Sequence, residues 1–135
     1  MAKFLNDWNT ETPLEDMAND FEINVKELES INIIVASYTY VEYTGDAFVL
    51  FEKNGTFYEV NGSHCSCYGL ENQWEPEEVT IDELERRFTP SEGQRHCQGY
   101  EYSYFEDKLV STYGEDVLKA IKDVREMYEE DTMIN

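Results

Sequence analysis

The stretch Ala47-Phe48-Val49-Leu50-Phe51-Glu52-Lys53-Asn54-Gly55-Thr56-Phe57-Tyr58-Glu59-Val60-Asn61 decides the fold. Two runs rich in aromatic and β-branched residues flank a single Asn-Gly pair. A type I′ turn needs positive φ at both central positions, and Asn-Gly meets that need at the least steric cost. The reading is therefore a strand over 47–53, a two-residue turn, and a strand over 56–61. Side chains alternate across a strand, so Tyr58 and Val60 fall on one side, Phe57 and Glu59 on the other. Working upstream, the period of two continues to Asn32. Ile34, Ala36, Tyr38, Tyr40 and Glu42 would share one face, with Ile33, Val35, Ser37, Thr39, Val41 and Tyr43 on the other. Thr44-Gly45-Asp46 reads as the turn between the first two strands, and Asn61-Gly62 as the end of the third. The expectation is a three-stranded antiparallel meander.

Outside the meander the apolar spacing becomes helical. Residues 1–30 read as an acidic helical segment. Thr12-Pro13-Leu14-Glu15 has the form of a capping box with proline at the first helical position, followed by Leu14, Met17, Ala18 and Phe21. Asn24 can cap a second short turn carrying Val25 and Leu28. Downstream, Thr80-Ile81-Asp82-Glu83 is another capping box, with Ile81, Leu84 and Phe88 inward. Gly99 to Ser103 fits either a fourth strand or the start of a helix, and Phe105, Leu109 and Val110 favour helix. From Glu115 to Glu130, Val117, Leu118, Ile121, Val124, Met127 and Tyr128 form one apolar stripe. The fold class expected is α+β: a three- or four-stranded antiparallel meander packed against helices, including a long C-terminal amphipathic one. A single domain over 1–135 is expected, with an acidic helical segment at 1–30, the meander at 32–61, a Cys/His-containing loop at 62–79 and a mainly helical part at 80–135.

Thirty acidic residues oppose ten basic ones, a formal net charge of −20 and a sequence pI near 4.2. Phosphate binding relies on Lys and Arg, so direct nucleic-acid binding is a poor expectation, as is an anionic membrane. A charge of this sign favours a basic protein partner. The candidate contacts are Glu115, Asp116, Asp123, Glu126, Glu129 and Glu130 on the last helix, with Glu75, Glu77 and Glu78 before the third capping signal. No apolar run reaches the 18 or so residues of a membrane span, and the first residues lack the apolar core of a secretory signal, so a cytoplasmic location is expected.

Between meander and helices lies Asn61-Gly62-Ser63-His64-Cys65-Ser66-Cys67-Tyr68-Gly69-Leu70-Glu71-Asn72-Gln73-Trp74-Glu75-Pro76. His64, Cys65 and Cys67, with His96-Cys97 further on, make five borderline or soft metal ligands in two groups. Zinc takes four such ligands from two short knuckles, and Cys65, Cys67, His96 and Cys97 are the candidate set. The alternative is that Cys65 and Cys67 point into the core together while His64 faces out, since a buried thiol behaves as a small hydrophobe. A nucleophilic thiol paired with His96 is a third possibility. An acidic surround raises a thiol pKa and works against it, and no nucleophile motif or glycine-rich phosphate loop accompanies these residues. Gly62 and Gly69 bracket a tight excursion that serves as a rigid corner or a display loop, with Trp74 anchoring it against the sheet.

The segment Phe48-Val49-Leu50-Phe51-Glu52-Lys53, Tyr58 to Glu71 and Gln73 to Glu78 resembles one in small accessory proteins of bacteriophages and other mobile elements. It brings no catalytic assignment with it. It implies an origin and a setting, the cytoplasm of a bacterial host cell. Small acidic proteins of that kind often block a host nuclease by occupying a groove meant for phosphates, which electrostatic complementarity makes physically reasonable. The leading expectation is thus a non-enzymatic inhibitor without cofactor, of the anti-CRISPR or anti-restriction kind, acting by nucleic-acid mimicry on a basic nucleic-acid-binding effector. A small zinc-stabilised scaffold or regulatory module comes second and a thiol-dependent enzyme third. The oligomeric state is left open.

Overall fold

The computed structural model describes residues 2–41, 44–65 and 68–134, with side chains as far as Met127. It confirms the α+β class. The chain divides into two compact units, Met1–Val79 and Thr80–Asn135.

The first unit is a sheet with two helices on one face. Its strands are β1 (Lys3–Asn6), β2 (Asn32–Val41), β3 (Thr44–Lys53), β4 (Thr56–His64) and β5 (Glu77–Glu78), in spatial order β1-β2-β3-β4-β5. The helices α1 (Pro13–Phe21) and α2 (Val25–Glu29) cross over between β1 and β2. The meander stands as expected, and its Asn54-Gly55 turn has φ of 54° and 84°, the positive pair that type I′ requires. Trp8, Met17, Phe21 and Leu28 pack onto Ile33, Ala36, Tyr38, Val49, Phe51 and Val60 to form the core. Each large side chain so buried stabilises by roughly 1.5–3 kcal/mol. Val35, Ser37, Phe48, Leu50 and Glu59, on the opposite face of the strands, are buried as well.

Several expectations fail in this unit. Residues 1–30 are not wholly helical, because Lys3–Asn6 pair parallel to Val35–Tyr38 as an edge strand. Thr12 stands at the α1 N-cap but its side chain caps nothing; it and Thr10 bond the Asp16 carboxylate, and Pro13 supplies the helix start. Asn24 does cap α2, its Oδ1 accepting from Lys26 N at 2.9 Å. Thr44, Gly45 and Asp46 are not a turn but the first residues of β3, opposite Val41, Tyr40 and Thr39. A bulge between Ile33 and Val35 turns Ile33 onto the Ala36 side, against the strict alternation read from sequence. β4 runs past Asn61 to His64, and Glu77–Glu78 add a short fifth strand beside Tyr58 and Glu59.

The second unit holds α3 (Ile81–Phe88), a hairpin of β6 (Tyr100–Ser103) and β7 (Lys108–Ser111), and α4 (Gly114–Ile134). Thr80 caps α3 as expected, its Oγ1 accepting from Glu83 N at 3.1 Å. The segment around Phe105 to Val110 is not helix. Tyr100 to Ser103 pair with Lys108 to Ser111, and Phe105 sits in the turn between them, 99% exposed. Leu84 and Phe88 are buried on α3, and Val117, Ala120, Ile121 and Val124 on α4, while Arg125 ties the two helices through Asp82 and Glu85 (2.8 Å). Met127, expected inward, is 62% exposed, and Ala120 occupies the stripe instead. The side chain of Tyr128 lies outside the described residues.

Gly99 joins these parts. Its φ of 84° suits glycine, and its carbonyl accepts from the backbone N–H groups of Thr112, Tyr113 and Gly114 at 2.9–3.1 Å and from Thr112 Oγ1 at 2.9 Å. That places the Gly114 Cα against Gly99 and the Tyr100 ring against Gly114.

Candidate functional site

The described members of the five ligand-type residues, His64, Cys65, His96 and Cys97, form no metal centre among themselves. Among the described residues no three His, Cys, Asp or Glu side chains stand close enough to share a metal ion. Cys67 lies outside the described residues. Cys65 follows the last residue of β4 and is half-buried, so it is not the core hydrophobe expected. His96 is exposed, and Cys97 is half-buried with its Sγ donating to the carbonyl of Arg87 at 3.2 Å. Burial pushes the Cys97 thiol up from its ordinary value, away from the thiolate form a nucleophile needs.

The role of His64 comes from the sheet. Tyr40 of β2 lies opposite Gly45 of β3, and Gly45 lies opposite His64 of β4. Residues in one lateral row face the same side. Gly45 leaves the middle of that row empty, so the Tyr40 and His64 rings meet over it, 4.4 Å apart and 16° from parallel. A Cβ at Gly45 would stand 3.2 Å from Tyr38 Cε1 and 2.4 Å from the Thr39 carbonyl oxygen. In the next row Tyr38, Ala47 and Gly62 repeat the pattern, with small residues on β3 and β4. The Tyr38 hydroxyl reaches His64 Nδ1 at 2.7 Å. Glycine and alanine at the sheet centre thus make a shallow floor on which Tyr38, Tyr40 and His64 lie.

The walls come from both ends of the unit. Trp8, just after β1, packs on Tyr38 at 5.3 Å and donates its Nε1–H to Asp20 Oδ2 of α1 at 2.8 Å. Burial foremost pushes the Asp20 carboxyl up; the Trp8 indole opposes this, Asp16 and Asp7 add to it, and His64 opposes it. Burial, followed by the Asp20 and Asp7 carboxylates, pushes the Tyr38 phenol up to about 12, so it stays protonated. On the other side Gln73 clamps the loop: its Nε2 donates to the carbonyls of Ser63 (2.7 Å) and Gly69 (2.6 Å), and its Oε1 accepts from Ser63 N (2.8 Å). Glu71 accepts from Gly69 N at 3.0 Å, Leu70 is buried, and Trp74 packs on Phe21 and Phe51 at 5.1 and 5.9 Å. The Gln73 bonds tie Gly69 and Gln73 itself to Ser63 of β4. Trp74 anchors the loop as expected.

This arrangement is a satisfied, hydrogen-bonded aromatic cluster under carboxylates. It holds His64 between the Tyr38 hydroxyl and the Tyr40 ring. The sequence signal for it is the small-residue set Gly45, Ala47 and Gly62, which the turn-like Thr44-Gly45-Asp46 pattern masks.

The acidic candidates are placed as follows. Glu115, Asp123 and Glu126 are exposed on α4 and Asp116 is half-buried there; the side chains of Glu129 and Glu130 lie outside the described residues. Glu75, Glu77 and Glu78 are exposed in the other unit, the last two on β5. Charge is uneven along the chain. Residues 1–79 hold sixteen carboxylates against three lysines, while residues 80–135 hold fourteen against seven basic residues. In the second unit Arg86 pairs with Glu83 at 2.6 Å and Arg125 with Asp82 and Glu85, so two guanidinium groups are neutralised internally. Among the described residues no helix is long and apolar enough to cross a membrane. The chain matches no family model, no curated protein and no solved structure.

Proposed function

We propose that the protein is a non-enzymatic, phage-type inhibitor that docks its acidic surface on the basic surface of a host nucleic-acid-processing defence complex in the bacterial cytoplasm. The observation that supports this reading is the density of uncompensated carboxylate in residues 1–79, sixteen acids to three lysines. A surface of that sign attracts a cationic groove over about a Debye length and speeds encounter with it. The first unit then offers a contact surface of its own, with Glu75, Glu77 and Glu78 among its members, beside the one carried by α4 in the second unit. The raised Cys97 thiol and its bond to a backbone carbonyl favour a binding role over thiol chemistry.

The test is a pull-down from bacterial lysate with the full chain as bait, followed by a salt titration of the captured protein and a duplex-DNA binding assay. The expected outcome is a basic nucleic-acid-binding protein whose affinity falls as salt rises, with no measurable DNA binding. Recovery of no such protein, or binding indifferent to salt, removes the basis of the reading.

A further inference from the structure

Beside the edge strand β1, the first unit carries a groove whose floor is Leu28 and Ile33 and whose walls are Phe4, Leu14 and Ile31. The two floor residues are buried, while the three wall residues are only half-buried. Glu11, Glu15 and Glu29 line the same groove. All three are exposed, and none has an ion pair or side-chain hydrogen bond among the described residues. An apolar trough edged by unpaired carboxylates is complementary to an apolar segment bearing cations on both sides. Among the described residues the strand alongside it, β1, pairs with β2 and no other strand, so one of its edges has no described strand neighbour in the sheet. An extended segment suits such an edge, because main-chain bonds supply affinity while side-chain pockets supply specificity. The same charges argue against a second copy of this chain as occupant, since two surfaces from a molecule of net charge −20 repel.

We propose that this groove seats an extended segment of the partner protein in which two large apolar side chains lie between arginines or lysines. The inference rests on the docking function proposed above and names the part of the partner that the first unit grips. The carboxylates bring the segment in, and the apolar pair, once desolvated against Leu28 and Ile33, holds it.

The probe is a fluorescein-labelled synthetic hexapeptide with a leucine–phenylalanine centre between two pairs of arginines, titrated against the full chain by anisotropy. A control peptide keeps the arginines and carries two serines at the centre. The expected result is binding of the first peptide at least about tenfold tighter than the control, because two apolar side chains leave water. Amide chemical-shift changes in the wild-type chain are expected at Phe4, Leu14 and Ile31. Ile31→Ser should abolish the preference for the apolar peptide while its circular dichroism stays that of the parent. The variant Glu11→Gln/Glu15→Gln/Glu29→Gln, which leaves the trough itself intact, should weaken both peptides alike. Equal binding of the two peptides overturns the proposal, as do shift changes confined to residues away from the groove. If Ile31→Ser still captures a basic protein from lysate in a salt-dependent way, the groove falls and the docking function stands. If wild type captures none, the docking function falls by its own test.

Discussion

Gly114→Ala sets two physical effects against each other with opposite signs. Gly114 is the first residue of α4 and its φ is not positive, so backbone preference alone favours alanine there, by up to about 1 kcal/mol. The packing says otherwise. A Cβ at Gly114 would stand 2.1 Å from Tyr100 Cε1 and 2.7 Å from both Cδ1 and Cζ, where carbon atoms ordinarily meet at about 3.5–4.0 Å. The opposite flank is closed too, since Gly114 Cα and N abut Gly99, where a Cβ would meet them at 2.7 and 2.8 Å. The helix start therefore cannot retreat without stretching the bonds that Thr112, Tyr113 and Gly114 make to the Gly99 carbonyl. The Tyr100 ring must swing out instead. Overpacking of this kind costs about 1–3 kcal/mol, and the loss of ring burial adds to it, so a net destabilisation of about 2 kcal/mol is expected after the helix gain. Urea unfolding followed by circular dichroism measures it, in the parent and in a Tyr100→Ala background. In that background the ring is gone and Gly114→Ala should be neutral or stabilising. A stabilising Gly114→Ala in the parent would refute the contact. Equal destabilisation in both backgrounds would place the cost elsewhere.

Gly55→Val should destabilise the first unit by about 1–2 kcal/mol, because Gly55 has φ of 84° and nothing lies within 4 Å of a Cβ there, leaving backbone strain as the whole cost; an unchanged thermal midpoint would reject the type I′ turn. Asp20→Asn keeps an oxygen acceptor for the Trp8 indole and removes a carboxyl pushed above its ordinary 3.8 chiefly by burial. A carboxyl with a raised folded value binds more protons folded than unfolded, so the parent loses stability as pH rises through that window. The variant's stability relative to the parent should therefore climb from pH about 3 upward and level off above the folded value; a relative stability that falls with rising pH would contradict the assigned direction.

The meander, the Asn54-Gly55 turn, the Asn24 and Thr80 caps and the start of α4 were legible because each has a local chemical signature. The remaining elements are non-local or too short to show a period. β1 is four residues, Lys3–Asn6, whose strand character exists only beside Val35–Tyr38. β5 has two residues, and β6 and β7 have four each, so the apolar groups of Phe105, Leu109 and Val110 looked helical in the absence of a glycine turn; Asp107, with φ of 55°, turns the chain there instead. The His64 cluster depends on register, since Tyr40, Gly45 and His64 meet only once three strands are aligned. The acidic surplus is legible in composition, yet its concentration in residues 1–79 has no periodic signature, whereas the last helix has an amphipathic one.

The parallel pairing of β1 also sets a clock. β3 and β4 close through two residues, and a hairpin of that kind forms in about 1–10 μs. β1 must wait, because Lys3 reaches Val35 only after α1 and α2 have folded back across the sheet. Closing a long loop costs more than closing a two-residue turn, so β1 is expected to join after the β3–β4 hairpin and to open more readily than it. When β1 leaves, the edge of β2 from Val35 to Tyr38 is bared for as long as the strand stays away. The interval between departure and return is then the time in which another chain's strand can take its place.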